Sequence, residues 1–259
     1  AAIAASFAPC AGAGEQSAVA AANAFFERAL DERLALNPQF ASSLGLRIGY
    51  DRWQDGSEAG DSERLTLAER QLAELRASID RAALDDATRL SWKVFETGEE
   101  RRIAQYRWRN HAYVFDKDGT HVSLPAFLIN SHRVESEQDA DAYVRRLEGV
   151  RAYMDQRIER ATAAARLGIL PPRFVFPYVI EDSRNIITGR PFDDGATDSP
   201  LLADFRAKVA ALAIDEARRE SLLARGELAL LTSVKPAFDA VIAWAIENGK
   251  AATDDDGVI

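Results

Sequence analysis

Residues 139–168 read DADAYVRRLEGVRAYMDQRIERATAAARLG, and 169–180 continue ILPPRFVFPYVI. Ala140, Tyr143, Val144, Leu147, Val150, Met154, Ile158 and Ala161 recur at helical spacing, so one face of a long helix is built for burial. Gly168 supplies the stop, and Pro171 and Pro172 forbid its continuation. Helical periodicity of this strength makes the chain an all-α protein.

The same period runs outward in both directions. Upstream, Val19, Ala22, Phe26, Ala29 and Leu30 mark a first helix that ends near Asn37-Pro38. A polar loop over Asp51–Asp61 precedes a stripe of Leu65, Ala68, Leu72, Leu75, Ile79 and Ala82, and Thr66 to Glu69 resembles a capping box at its start. Asp85-Asp86 opens a helix carrying Leu90, Trp92, Val94 and Phe95. Downstream, Ser199-Pro200 reads as an N-cap followed by proline at the first helical position. Leu201, Phe205, Val209 and Leu212 define that helix, and another begins near Asp215. Val234, Phe238, Val241 and Ala245 continue the pattern, with Pro236 starting a helix or kinking one.

One stretch interrupts the rhythm. NHAYVFDKDGTHVSL, from Asn110 to Leu124, places an Asp-Gly turn between the β-prone pieces Ala112–Phe115 and Thr120–Val122, which suits a small hairpin or an extended connection. The expected fold is therefore a multi-helix orthogonal or bundle-like array with at most one small β-hairpin, at about 112–122. Residues 1–13 are small, apolar and uncharged, like the back half of a secretory leader, with Ala11-Gly12-Ala13 as a cleavage site. Cys10 leaves lipidation open, although Phe7 and Pro9 are poor lipobox residues. Residues 14–259 are expected to form a single helical domain, exported and either periplasmic or lipid-tethered at the cell envelope.

Composition narrows the partners. The 259 residues are 47% hydrophobic and 28% charged with a net charge of −9, which is ordinary for a globular protein and argues against nucleic acid. Arginines alternate with acids, as in RLTLAERQLAELRASIDR, and read as ion-paired helix faces. No apolar run after the leader reads as long enough to span a bilayer. The chain carries no Walker loop, G-x-S-x-G or G-x-G-x-x-G. DKDGTH at Asp116–His121 superficially resembles a calcium loop, but its glycine stands fourth rather than sixth and its twelfth position is Phe127, so it reads as a turn.

Several motifs together resemble the DUF885 family, bacterial proteins grouped with helical zinc metallopeptidases. They are the long helix with its Gly168-Ile169-Leu170-Pro171-Pro172-Arg173 exit; Asn37-Pro38, Ser43-Leu44-Gly45-Leu46 and Tyr50-Asp51 near the start; Leu124-Pro125-Ala126-Phe127 with His132; and Thr253–Ile259. The last of these is similar to the stretch before a family L-P-D-G-x-x-Y-Y motif. The resemblance thus implies that the chain stops about halfway along the family length, upstream of the zinc-binding H-E-x-x-P-G-H segment. Zinc is expected in a complete family member and no cofactor in this chain.

The histidines agree with that placement. His111, His121 and His132 are followed by Ala, Val and Arg, so none begins an H-E-x-x-H helix, where residues i and i+4 offer two imidazoles to one metal. No catalytic and no metal-binding residues are expected here. Substrate contacts are expected from the irregular segments 112–132 and 171–190: Arg173 and Arg184 to pair with a peptide carboxylate, with Tyr113 and His132 beside them. The function implied is the helical, substrate-channel half of an exported zinc-dependent peptidase, not catalytic alone, with the C-terminal half of the same protein as partner. The alternatives are a non-enzymatic periplasmic binding or scaffold module and a metal-free paralogue.

Overall fold

In a computed structural model describing residues 11–255, ten α-helices follow one another and no strand occurs among the described residues. Cys10 and the terminal Asp256–Ile259 lie outside them, as does most of the leader, while Ala11–Ala13 form the first turn of α1. The helices are α1 (Ala11–Leu36), α2 (Pro38–Ser43), α3 (Glu58–Ser78), α4 (Asp86–Tyr106), α5 (Thr120–Asn130), α6 (Glu137–Arg166), α7 (Val175–Ile186), α8 (Pro200–Ala210), α9 (Glu216–Ala229) and α10 (Lys235–Asn248). The chain divides into two compact units: residues up to Arg33 with Ser62–Arg107, and Leu34–Asp61 with Trp108 onward.

The first unit has its own core of Ala22, Phe25 and Ala29 from α1, Leu75 and Ile79 at the end of α3, Leu84, and Trp92 of α4. Edge-on rings tighten it, with Phe25 and Phe95 centroids 5.2 Å apart. The buried Gln71 amide donates to the Ala29 carbonyl at 3.0 Å and to Glu32 at 2.7 Å. Asp85 caps α4 by accepting the Thr88 N–H at 2.7 Å.

The second unit is built around α6. Ser136 caps its start, accepting the Asp139 N–H at 3.1 Å. Gly168, at φ +79°, closes its end: Gly168 N–H reaches Ala165 O at 2.9 Å and Ile169 N–H reaches Ala164 O at 3.0 Å, the paired bonds of a Schellman stop. The predicted face is buried: Ala140, Tyr143, Val144, Leu147, Val150 and Met154 are fully enclosed. They meet α9, α10 and the π-helical turn Leu230–Val234, while α7 lies on α10, and α5 on α7 and α8.

Three local readings change and one open reading is resolved. The hairpin at 112–122 does not form: 111–119 are turns and bends, and Thr120-His121-Val122 is the first turn of α5, with Gly119 as its N-cap. The Asp-Gly signal was real, since Asp116 Oδ1 accepts the Asp118 N–H at 3.1 Å, but it turns the chain into a helix. Thr66 is no cap, because α3 starts eight residues earlier and the Thr66 hydroxyl instead donates back to Ser62 O at 2.9 Å. Pro236 stands in the first turn of α10, directly after the π-helical turn and inside a helix that runs without a break from Glu216 to Asn248. Finally, the continuous helix Glu216–Asn248 is long and apolar enough to cross a membrane by length and composition. Leu230, Val234, Phe238, Val241 and Ala245 are nonetheless fully buried in the protein core, which accounts for that hydrophobicity.

Candidate functional site

Arg146 heads the largest wholly buried side chains, and it lies in the second unit on the apolar face of α6. Its guanidinium donates to Arg52 O at 3.1 Å, Ser42 Oγ at 2.9 Å and His132 Nδ1 at 2.9 Å, and reaches Pro38 O and Gly49 O at 3.4 Å each. Aromatic rings complete the enclosure, with Phe127 at 4.9 Å and Tyr50 at 5.1 Å from the cation. All of these direct partners are neutral. Burial holds the Arg146 pKa down to about 10, so it stays charged at neutral pH, balanced by carbonyl dipoles and π-faces.

The loop that delivers those carbonyls is shaped by two glycines. Gly45, at φ +79°, ends α2 as Gly168 ends α6: its N–H reaches Ser42 O, and Leu46 N–H reaches Ala41 O, both at 2.9 Å. Gly49, at φ +58°, turns the chain so close to Pro38 that a Cβ would stand 3.0 Å from the proline ring. Tyr50 then donates its hydroxyl to Arg133 O at 2.8 Å, and the Trp53 indole donates to Arg146 O at 2.8 Å.

His132 is the second member of the cluster. Its Nε2 lies 3.1 Å from Asp139 O and its Nδ1 accepts from Arg146, which fixes the neutral tautomer protonated on Nε2. Burial, then the Arg146 charge, bring its pKa down to about 3. Tyr50 packs on one side of the imidazole, at 4.2 Å between centroids, and Tyr143 on another, at 5.1 Å. The Tyr143 hydroxyl donates to Asp204 at 2.9 Å; Lys208 holds the same carboxylate and caps α5 through Leu128 O and Ile129 O. At the mouth, Arg47 grips Asp139 through Nε at 2.8 Å and Nη2 at 3.1 Å. Burial would raise the Asp139 carboxyl, but Arg47 and the Glu135 N–H outweigh it and leave it below the ordinary range. Outside lies an open cleft of about 610 Å³, lined among others by Arg47, Arg52, Arg145, Asp51 and Asp141.

The structure therefore gathers Pro38, Tyr50, Phe127 and His132, scattered motif positions in the sequence, around one guanidinium. It does not gather the four substrate-contact candidates. His132 is buried in this cluster, 1% exposed. Arg173 holds the C-terminal segment, donating to Ala252 O at 2.8 Å and lying 3.5 Å from Asp254. Arg184 is exposed near the other end of α7, about a dozen residues or 16 Å away along the helix. Tyr113 is exposed in the loop before α5.

The histidines stay apart in their surroundings. His111 packs edge-on to Trp108, and His121 is wholly buried beside Phe115, its Nε2 3.9 Å from Asp182. Among the described residues no three His, Cys, Asp or Glu side chains stand together as a metal site.

Among known proteins, the family profile described as "Bacterial protein of unknown function (DUF885)" matches residues 38–258. Two solved structures, each described as a "putative lipoprotein", share the fold. The one from Colwellia psychrerythraea has a TM-score of 0.77 at 16% identity, covering 91% of this chain and 42% of its own. The one from Shewanella oneidensis, described as of unknown function, has a TM-score of 0.59 at 18% identity, covering 89% and 37%. No curated protein matches the chain. The chain thus spans about two-fifths of the length of either solved relative.

Proposed function

Because the chain belongs to the DUF885 family of bacterial proteins, we propose that it is the helical scaffold and substrate-facing half of a longer, envelope-associated peptidase whose catalytic metal is bound elsewhere in that polypeptide. One observation carries the reading. Four of the motif residues, Pro38, Tyr50, Phe127 and His132, enclose Arg146, which is 0% exposed, and so serve architecture rather than a reaction. The lengths of the solved relatives support it, since each has more than half of its chain outside the match. Their description as lipoproteins supports export and a place at the envelope.

In this reading the hub fixes the chain's entry loop on α6, and the outer cleft with Arg47, Arg52 and Arg145 faces substrate. The test measures bound zinc and peptide hydrolysis on this chain and on a version extended through its downstream reading frame. Metal and chelator-sensitive hydrolysis appearing only in the extended protein is the expected result. Stoichiometric zinc in this chain, or an extended protein that neither binds metal nor cleaves peptides, overturns the proposal; the second outcome leaves a binding module.

A further inference from the structure

We infer that an apolar trough on α1 and α4 of the first unit is the docking site for an amphipathic helix contributed by the remainder of the family-length polypeptide; the inference rests on the half-protein reading above. The trough encloses about 570 Å³ and is lined by Phe26, Arg33, Leu90, Ser91, Val94, Phe95, Gly98, Glu99 and Arg102. Phe26 and Phe95 pack at 5.7 Å and lie partly buried against the unit's core. Above them Leu90 and Val94 are each 65% exposed. With Gly98 they form a line at i, i+4 and i+8 along α4, the spacing that receives a helix laid into a groove.

Gly98 is a second, independent sign. A glycine inside a helix costs about 1 kcal/mol relative to alanine, and a Cβ here would meet nothing within 4 Å. Nothing inside the unit requires it, whereas a close-lying backbone from outside would. Beyond the glycine the surface turns polar: Glu99, nearly buried, lies 3.6 Å from Arg33 and 3.3 Å from Arg102. Two guanidiniums meet one carboxylate at that end. The occupant is therefore a helix with apolar residues at i and i+4 that face Leu90 and Val94 across Gly98.

The size of the trough separates an intramolecular helix from a second copy. Nine residues line it, against roughly 20–30 on each side of a standard interface between separate proteins. A helix tethered in the same polypeptide needs less surface, because its effective concentration is already about millimolar. The solved relatives hold more than half of their chains outside the match, which is ample to supply one.

The test places a thiol in the trough through Val94→Cys in a Cys10→Ser background, leaving it the only cysteine, and measures its alkylation rate in this chain and in the extended one. Expected is rapid alkylation in this chain, independent of protein concentration, and slowing by about tenfold or more in the extended protein. A second variant, Gly98→Leu, is expected to raise the Tm of this chain, since it removes a helical glycine where a side chain meets nothing, and to lower that of the extended protein. Equal alkylation rates in an extended protein that binds metal and hydrolyses peptides overturn the docking site while sparing the half-protein reading. Concentration-dependent protection in this chain alone assigns the trough to a second copy and overturns it too. An extended protein with neither metal nor hydrolysis removes the reading on which the inference rests.

Discussion

Lowering the pH from 7 to 5 should destabilise the second unit through His132, well before its carboxylates begin to protonate. The imidazole is held neutral in the fold, its pKa brought from 6.5 down to about 3 by burial and by the Arg146 guanidinium on Nδ1. The unfolded chain takes up the proton near pH 6.5, so the unfolded state binds more protons throughout the interval between the two values. Stability is then complete above pH 6.5 and falls as the pH drops towards 3. At 1.36 kcal/mol per unit the full loss is about 5 kcal/mol, and at pH 5 it is about 2 kcal/mol. Protonation would remove the acceptor that faces Arg146 Nη1 and set two cations against each other. Urea denaturation at pH 7, 6 and 5, on wild type and on His132→Gln, measures this. His121, also held below its ordinary pKa by burial, adds a loss of the same sign, so His121→Gln is the control background. The variant lacking His132 should lose about 2 kcal/mol less than its parent between pH 7 and 5. If both lose stability equally, His132 already binds its proton in the fold and the reasoning about its tautomer is wrong.

Further outcomes follow from the same geometry. Arg146→Met should cost about 3–5 kcal/mol in urea denaturation, because the carbonyls of Pro38, Gly49 and Arg52 and the Ser42 hydroxyl lose a buried donor. Arg146→Lys should recover only part of it, since an ammonium cannot span the same fork of acceptors. Gly168→Ala should cost about 1–2 kcal/mol from its φ of +79° alone, because nothing lies within 4 Å of the added methyl. Gly226→Ala has ordinary helical φ but meets the Phe205 ring at 2.6 Å, so about 1–3 kcal/mol of overpacking is expected in thermal melts. Tyr143→Phe should cost about 1–3 kcal/mol by stripping Asp204 of a buried donor while Lys208 remains.

The helices were legible because their signals are local. The buried face of α6, the glycine stop at 168, the Ser199-Pro200 start of α8 and the Asp215 start of α9 are each written within a few residues. Asn110–Leu124 was misleading for the same reason. Thr and Val favour strands, but a hairpin also needs a partner face, and here Leu124 and Leu128 bury a helical face instead. Thr66 failed likewise: a capping box cannot be told from mid-helix Thr and Glu unless the turn before it is known.

Arg146 was missed although a signal for it existed. It stands three residues after Tyr143 and four before Val150, in the middle of the face that the periodicity buries, whereas Arg145 beside it is 62% exposed at its side chain. An arginine on the apolar stripe of a long helix must either distort the packing or be met by acceptors. The acceptors come from 38–52, which lie 94 to 108 residues back, and from His132, which lies 14 back, and no local rule pairs carbonyls with a distant guanidinium. Residues that carry the resemblance stand at or beside these groups, where Pro38 O, Ser42 Oγ, Gly49 O and His132 Nδ1 converge on one point. This explains why reading His132 as a substrate contact was natural and why its burial argues for architecture. An imidazole whose two nitrogens are both engaged within the protein, by Asp139 O and by Arg146, has none left to offer a peptide. In the proposed reading recognition falls to groups that keep one side in solvent, and Arg52 and Arg145 over the outer cleft, 66% and 62% exposed at their side chains, meet that condition.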